Sequence, residues 1–207
     1  MSSNVIALNT TEPILTAITG GIGSGKSVVS RLLRILGYPV YDCDSRAKAL
    51  MDVDETIKQH IICHIDSEAV GKDGTIDRRR LAATVFADAE KLALLNATVH
   101  ASVKIDIMCW AKKCKCRHAF VETAILFQSG LNEIVTDEWR VDAPLEIRIE
   151  RVMKRNSLSR AEVELRIAAQ DYTLTPGTRI PPLREIINDG SQPLLPQIQQ
   201  LLAFYTL

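Results

Sequence analysis

The chain has no excess of charge of either sign: 25 Lys and Arg stand against 25 Asp and Glu in 207 residues, for a formal net charge of +0. No global field therefore draws it to nucleic acid or to an anionic membrane surface. Any anionic ligand must be met by local clusters of Arg and Lys. The sequence also lacks an apolar run approaching the length of a membrane span, and its first residues carry no basic flank followed by an apolar core. Cysteine is sparse. The five, at 43, 63, 109, 114 and 116, are odd in number and form no disulfide framework, which suits a reducing compartment. Internal repeats and low-complexity segments are missing as well. These absences point to a cytoplasmic protein with no nucleic-acid partner, no membrane and no obligatory protein partner. With 46% hydrophobic and 24% charged residues, the composition is that of one globular unit with room for inserted subdomains.

What is present begins with Gly20-Gly21-Ile22-Gly23-Ser24-Gly25-Lys26-Ser27, a full match to G-x-x-x-x-G-K-[ST]. The apolar, β-branched stretch 14–19 ahead of it reads as a buried strand. Behind it Val28, Val29, Leu32, Leu33, Ile35 and Leu36 fall at helical spacing, and Gly37 supplies a stop. Strand, glycine loop and helix together form the setting in which this motif binds a nucleoside triphosphate. Glycines let consecutive backbone N–H groups of Gly21 to Val28 turn inward on phosphates, and the helix N-terminus adds partial positive charge. Lys26 then reaches the β- and γ-phosphates, and the Ser27 hydroxyl is placed to ligate Mg²⁺. Neither an Asn-Lys-x-Asp nor an Asp-x-x-Gly follows, so the chain lacks the guanine and switch motifs of a GTPase.

A second strand over 39–41 leads into Asp42-Cys43-Asp44, acidic residues at the edge of a parallel sheet where ligands of open α/β folds sit. One aspartate suffices to cap a helix over 45–51. Two beside a phosphate loop suggest that one handles Mg²⁺ or a substrate hydroxyl. Helical periodicity then runs over 54–65, 77–86, 89–100 and 102–114, too long for a simple crossover and so read as a helical insertion. Within it, Arg78-Arg79-Arg80 is either a solvated helix face or part of an anion site. Cys114-Lys115-Cys116-Arg117-His118 has cationic neighbours and no second ligand pair at zinc spacing, so it reads as a polar helix end. A third strand over 118–122 ends in Glu122, where phosphoryl-transfer enzymes often hold a water on Mg²⁺. A fourth strand spans 139–144. Two cationic helices follow over 145–155 and 160–170, with Arg148, Arg151, Lys154, Arg155 and Arg166. They are either ion-paired surface, with Glu146, Glu150, Glu162 and Glu164, or a lid closing on the triphosphate. A last strand and turn over 185–190 and a helix over 193–205 finish the chain.

As an ordered set, these stretches resemble the bacterial dephospho-CoA kinase family over nearly the whole chain. The resemblance is carried by 18–27, Asp42-Cys43-Asp44, Leu95-Asn96-Ala97-Thr98-Val99-His100, Ala124-Ile125-Leu126-Phe127, 150–155, Arg166-Ile167-Ala168-Ala169-Gln170 and Ile187-Asn188-Asp189-Gly190. It implies an α/β P-loop NTPase fold, nucleoside-monophosphate-kinase-like, with five parallel strands flanked by helices. It divides the chain into a nucleotide-binding core over 1–45, 119–143 and 180–207, a helical CoA-substrate domain over 46–118 and a lid over 144–179. The implied reaction uses ATP and Mg²⁺ to phosphorylate the ribose 3′-hydroxyl of dephospho-CoA. In that reading Asp44 is the base, Lys26 and Arg151 act on the transferring phosphoryl group, and Arg155 and Asn188 join the loop in holding ATP. Asp42 and Glu122 reach the metal through water. Departures from the family pattern are Val28 for Thr, Lys48 for Arg, Ala101 for the proline that commonly follows the histidine, Glu122 for Asp, and Gln128 for an acid. The Ala101 change predicts a displaced helix break.

Overall fold

The computed structural model describes residues 13–170, 174 and 176–205. The expected polar lead-in over 1–12 lies outside them, as do 171–173 and 175 of the expected lid. Five strands, β1 Ile14–Thr19, β2 Val40–Asp42, β3 His118–Glu122, β4 Asp137–Asp142 and β5 Leu183–Ile187, form one sheet in the order β2-β3-β1-β4-β5. All pairings are parallel. A parallel sheet is covered on both faces, so its central strand reads as a continuous apolar run. Accordingly β1 is buried at every position after Ile14.

Strand boundaries differ from expectation where polar residues or proline blur the pattern. Pro39 cannot donate to a ladder, and it contributes only its carbonyl, which accepts from the Phe120 N–H at 3.0 Å. β2 therefore runs on to Asp42, in register with Glu122. β4 starts at Asp137, two residues ahead of Trp139, because Asp137 and Glu138 are buried in spite of their charge. Thr19 Oγ1 donates to Glu138 Oε1 at 2.5 Å. β5 likewise begins at Leu183, ahead of the expected residue 185.

Helices α1 Lys26–Ile35 and α8 Leu194–Ala203 cover one face of the sheet, where Val29, Leu33 and Ile198 pack with Ile18, Phe120, Trp139, Val141 and Ile186. The other face is covered by α2 Cys43–Val53, α3 Glu55–His64, α4 Arg78–Phe86 and α5 Ala89–Lys113. Each of these four begins at an aspartate whose side chain accepts a backbone N–H from the first turn: Asp42, Asp54, Asp77 and Asp88. Their apolar residues join Leu15, Ala17, Ala119 and Val121 in one cluster, so the helical layer shares its core with the sheet.

The expected break near residue 101 does not occur. Ala101, a strong helix former that keeps its N–H, lies inside one continuous 25-residue helix. By length and composition α5 is apolar enough to cross a membrane, yet its Leu95, Val99, Val103, Ile107 and Ala111 face is packed into the core.

Two readings left open by the sequence resolve toward structure. Arg78 pairs with Asp52 at 2.6 Å, and Arg80 pairs with Asp66 and Glu68, each at 2.7 Å. Two of the three arginines in the run, Arg78 and Arg80, are thus ion-paired at the surface. His118, the end of the Cys-Lys-Cys-Arg-His run, points into the fold. Its Nε2 lies 2.7 Å from Thr16 Oγ1, and its ring packs on Phe120, Tyr205, Tyr38 and Trp139.

After β4 come α6 Leu145–Asn156 and α7 Arg160–Ala168, which close on each other through Ile149, Val152 and Val163. Ser159 and Glu162 form a reciprocal capping box at the start of α7.

Candidate active site

The glycine loop sits between the buried end of β1 and the first turn of α1, and two of its glycines are held by what stands against them. Gly25, the residue before α1, has φ 100° and faces the Asn188 side chain where a Cβ would project. Gly23, at φ 81°, lies against the Arg148 carbonyl in the same way. Both positions demand glycine on conformation and on space. The Lys26 ammonium folds back to donate to the Gly20 and Gly21 carbonyls at 2.6 and 3.3 Å. Burial lowers its pKa, opposed by the nearby Glu122 and Asp44 carboxylates.

A cleft of about 540 Å³ opens over this loop. Ile22, Gly23, Gly25, Lys26, Ser27 and Val28 line its floor. Ser27 and Val28 are exposed into it at the start of α1, so the metal-ligand hydroxyl read from the motif is accessible. Gly21, Ser24 and Asn188 are not on the cleft wall. Asn188 stands against the loop and donates from Nδ2 to the Ser24 carbonyl at 2.7 Å, holding the loop's shape.

The carboxylates enter from the far side of the sheet's edge. Register places Asp42 beside Glu122 and Glu122 beside Ile18, so both acids reach the cleft next to the loop. Asp42 is occupied: Oδ1 accepts the Ser45 N–H at 3.1 Å and Oδ2 accepts the Ser45 hydroxyl at 2.7 Å. Asp44 lies two residues on, in the first turn of α2, exposed and facing the same cleft. Glu122 is half-buried, and its pKa is raised chiefly by burial and further by Asp42, with Lys26 and Arg34 pulling it back.

Helix α6 supplies the cations. Arg151 and Arg155 line the cleft. Arg151 Nη2 donates to the Asn188 carbonyl at 3.0 Å, and its Nη1 points at the Gly23 and Ser24 carbonyls at 3.4 Å. Arg155 bonds its neighbour Asn156 at 2.9 Å. The surface ion-pair alternative holds for a different residue, Arg160, which binds Glu146 and Glu164 at 2.7 Å each.

Sequence reasoning missed two lid contacts. Arg148 was noted only as one cation among several, yet its Nε donates to the Ile22 carbonyl at 3.0 Å. Gln170 lines the cleft, and its Oε1 accepts the Ile22 N–H at 2.6 Å. The Ile22 side chain meanwhile packs on the Ile149–Val152–Val163 cluster. Ile22 is thus tied to α6 and to the end of α7 by two hydrogen bonds to its backbone and one apolar contact. The helical spacing of Arg148 and Arg151, three apart on one face, was the available signal for the first. Nothing local marked the second.

No group of three or more His, Cys, Asp or Glu able to hold a metal by itself occurs among the described residues. The residues do fit a divalent ion held partly by a polyphosphate. Ser27 offers an exposed oxygen, and Glu122 is a carboxylate whose ionised form lacks a compensating cation of its own beyond the fields of Lys26 and Arg34. Chemically, then, the cleft places a phosphate cradle and three cations, Lys26, Arg151 and Arg155, beside the exposed carboxylate of Asp44. That arrangement suits transfer of a phosphoryl group to a hydroxyl.

Comparison with known proteins gives the same direction. The family model for dephospho-CoA kinase matches residues 14–174. A dephospho-CoA kinase of Porphyromonas gingivalis is 44% identical over 158 residues, covering 76% of this chain and 78% of the relative. One from Bacteroides fragilis is 38% identical over 192 residues, 92% of each chain. Among solved structures, Thermus thermophilus TT1252 superposes with a TM-score of 0.71 at 37% identity, covering 94% of this chain and 97% of the other. Dephospho-CoA kinase from Campylobacter jejuni shares the fold, with a TM-score of 0.58 at 21% identity over 93% and 95% of the two chains.

Proposed function

Since the chain belongs to the dephospho-CoA kinase family, we propose a division of labour within its cleft for that family's reaction. The reaction is the ATP-dependent phosphorylation of dephospho-CoA at the ribose 3′-hydroxyl, the final step of CoA synthesis. The observation that carries the assignment of roles is the contrast between the two aspartates. Asp42 is bound to Ser45 at the cap, whereas Asp44 faces the cleft with its carboxylate uncommitted.

In this reading Asp44 accepts the proton of the 3′-hydroxyl as its oxygen attacks the γ-phosphorus, and the bond from that phosphorus to the β–γ bridging oxygen breaks to release ADP. Lys26 leaves the Gly20 and Gly21 carbonyls and turns to the β- and γ-phosphates. Gly23 and Gly25 turn backbone N–H groups to them, while the Ile22 N–H is held by Gln170 and the Val28 N–H by the Gly25 carbonyl. Arg151 and Arg155 meet the charge that spreads over the transferring oxygens. Arg148, Gln170 and Asn188 position the loop from behind. Ser27 would hold Mg²⁺ directly, with Glu122 and Asp42 reaching it through water. The ion when bound supplies neutralisation of phosphate charge. Residues 46–118 form the dephospho-CoA side, 144–179 the lid, and 1–45, 119–143 and 180–207 the nucleotide core. The five free cysteines support a reducing, cytoplasmic setting. The balanced net charge supports a small-molecule enzyme that uses neither nucleic acid, membrane nor an obligatory foreign protein.

The test is a coupled assay of ATP turnover with dephospho-CoA for the wild-type chain and for Asp44→Asn. Asp44 makes no cap bond, which Asp42 supplies, and Asn fills the same space, so the fold and ATP binding should persist. The kcat should fall by roughly 10²- to 10⁴-fold, the range for a positioned acid–base group. Asp42→Asn should cost less. An Asp44→Asn enzyme that turns over at the wild-type rate would remove Asp44 from the chemistry.

A further inference from the structure

Strand β2 passes into α2 with no residue between them: the strand ends at Asp42 and the helix begins at Cys43. That junction is a pivot, and the angle at which α2 leaves it aims Asp44. Burial holds the angle only loosely, because α2 buries Cys43 while Ala47, Leu50 and Met51 pack partly against the core. A polar network spans the pivot instead. On the strand side, the Tyr41 hydroxyl donates to Asp106 Oδ2 at 2.6 Å. On the helix side, Arg46 donates from Nε to Oδ2 at 3.0 Å, and from Nη2 to Oδ1 at 2.9 Å and Oδ2 at 2.7 Å. Tyr41 is 3% exposed, and its ring meets Trp110, one turn past Asp106 on α5, edge-on with centroids 5.3 Å apart. One carboxylate of α5 thus grips residues 41 and 46, and Asp42-Cys43-Asp44 lies between its two grips. Exposed ion pairs ordinarily contribute little, and a forked arginine–carboxylate pair inside a network is the exception. Arg78 offers the contrast, since it ties the other end of α2 through Nη2 alone, to Asp52 at 2.6 Å and to the Lys48 carbonyl at 3.2 Å.

We propose, resting on the reading of Asp44 as the base, that Asp106 is its positioning residue: through Tyr41 and Arg46 it fixes the direction in which the Asp44 carboxylate faces the cleft. A base must stand within hydrogen-bond reach of the hydroxyl it deprotonates, and a displacement of about 1 Å costs roughly 10²-fold in rate. Asp44 stands in the first turn of α2, two residues before Arg46, so a roll of the helix at that turn swings its carboxylate directly. Asp106 itself does not line the cleft. It acts on the reacting hydroxyl only through Asp44. Together with Tyr41, Arg46 and Asp42 it does line a neighbouring recess of about 420 Å³. A part of dephospho-CoA seated there against Asp106 is the competing role, and that role predicts a change in KM for dephospho-CoA rather than in kcat.

Steady-state kinetics with ATP and dephospho-CoA on a double-mutant cycle tests this. Asp106→Ala should lower kcat by roughly 10- to 10²-fold and change both KM values by less than about threefold. In the Asp44→Asn background the same change should cost less than about twofold, because a base already removed cannot be misaimed. A general loosening of the fold would instead slow both backgrounds equally. Arg46→Lys keeps the charge and loses the fork, while Tyr41→Phe keeps the ring and loses the hydroxyl. Each should lower kcat, by less than Asp106→Ala does and only where Asp44 is present. These two decide the matter if Asp106→Ala fails to fold by circular dichroism. Arg78→Ala, which frees the other end of α2, should leave kcat unchanged. If Asp44→Asn is slow while the folded Asp106, Arg46 and Tyr41 variants turn over at the wild-type rate, the base stands and the proposal falls. It also falls if the loss is the same in both backgrounds, if Arg78→Ala loses as much, or if Asp106→Ala raises KM for dephospho-CoA with kcat intact. Asp44→Asn at the wild-type rate overturns the base and its positioning residue together.

Discussion

Glu122 ends β3 in register with Asp42, and the fold gives its negative charge poor company. Burial first, and Asp42 second, raise its pKa above the usual carboxylate range. A group raised in the folded state contributes stability below its unfolded pKa and loses it as pH climbs through the folded value. Glu122→Gln removes that loss. The variant should therefore melt higher than wild type at pH 7, with the difference shrinking as pH falls and vanishing only below the ordinary value of 4.5, where the carboxyl becomes protonated in both states. If Glu122 also serves the cleft, turnover falls while stability rises, a pairing expected at sites where function opposes stability. A variant that melts lower than wild type at pH 7, and by the same margin at pH 4.5, would show that the charge is not what the fold resists. At this scale the loop itself was legible, because Gly20 to Ser27 is a local motif with a local mechanism. The separate tasks of Asp42 and Asp44 were only half legible. Sequence reading saw that one acid could cap and one could act, and the resemblance gave Asp44 the second task; the structure adds that Asp42 is the one bonded to Ser45 at the cap. Gln170 was not legible as a loop contact. It meets Ile22 across 148 positions of chain, and no periodicity encodes a contact at that range.

Helices α6 and α7 show what element-level reading gains and loses. They were read as two cationic helices over 145–155 and 160–170, and α6 and α7 lie there, the second begun by the Ser159–Glu162 cap. Which arginine faces the site and which faces water depends on how the pair is rolled against the loop. That roll is set by Ile22, Ile149, Val152 and Val163 rather than by the arginines. The continuous α5 makes the same point in reverse, for its predicted break came from an expected proline that Ala101 does not supply. The consequence for the lid is a split between neighbours. Arg151 binds carbonyls of the loop and of Asn188, so Arg151→Ala removes both a cation from the cleft and a brace from behind it. Its kcat should fall by roughly 10²-fold, typical for loss of a preorganised donor. The ATP KM should rise far less, because the backbone cradle remains. Arg160→Ala breaks exposed pairs with Glu146 and Glu164 and should leave both constants unchanged. Steady-state kinetics on the two variants decides the matter. Equal kinetics in both would make α6 a surface helix with ordinary charge pairs.

For the molecule as a whole, the sheet joins two cores, and the end of β3 farthest from the chemistry holds a titratable group sealed in one of them. His118 packs among Tyr38, Phe120, Trp139 and Tyr205, with Thr16 as its hydrogen-bond partner. Burial pushes its pKa down to about 4 from an ordinary value of 6.5. The native state thus holds the neutral ring, while the unfolded chain takes up a proton below pH 6.5. The sign follows directly. Stability from this site is fully present above pH 6.5 and is lost as pH falls toward 4, by about 3 kcal/mol in total. That is a sizeable part of the ~5–15 kcal/mol that keeps a domain folded. His100, lowered by burial as well, acts in the same direction. Glu122 acts in the opposite one. Comparing wild type with His118→Gln cancels both. Gln preserves a hydrogen-bonding group for Thr16 but takes up no proton, so the variant should be less stable at pH 7 through lost ring packing, yet its stability should decline much less between pH 6.5 and 4.5. Urea unfolding at half-unit steps across that window measures the difference in slope. Turnover at pH 7.5 should be unaffected at temperatures where both chains are folded, because His118 lies outside the cleft. Parallel pH profiles for the two chains would mean that protonation of His118 does not drive acid unfolding, and that the carboxylates of the native ion pairs do.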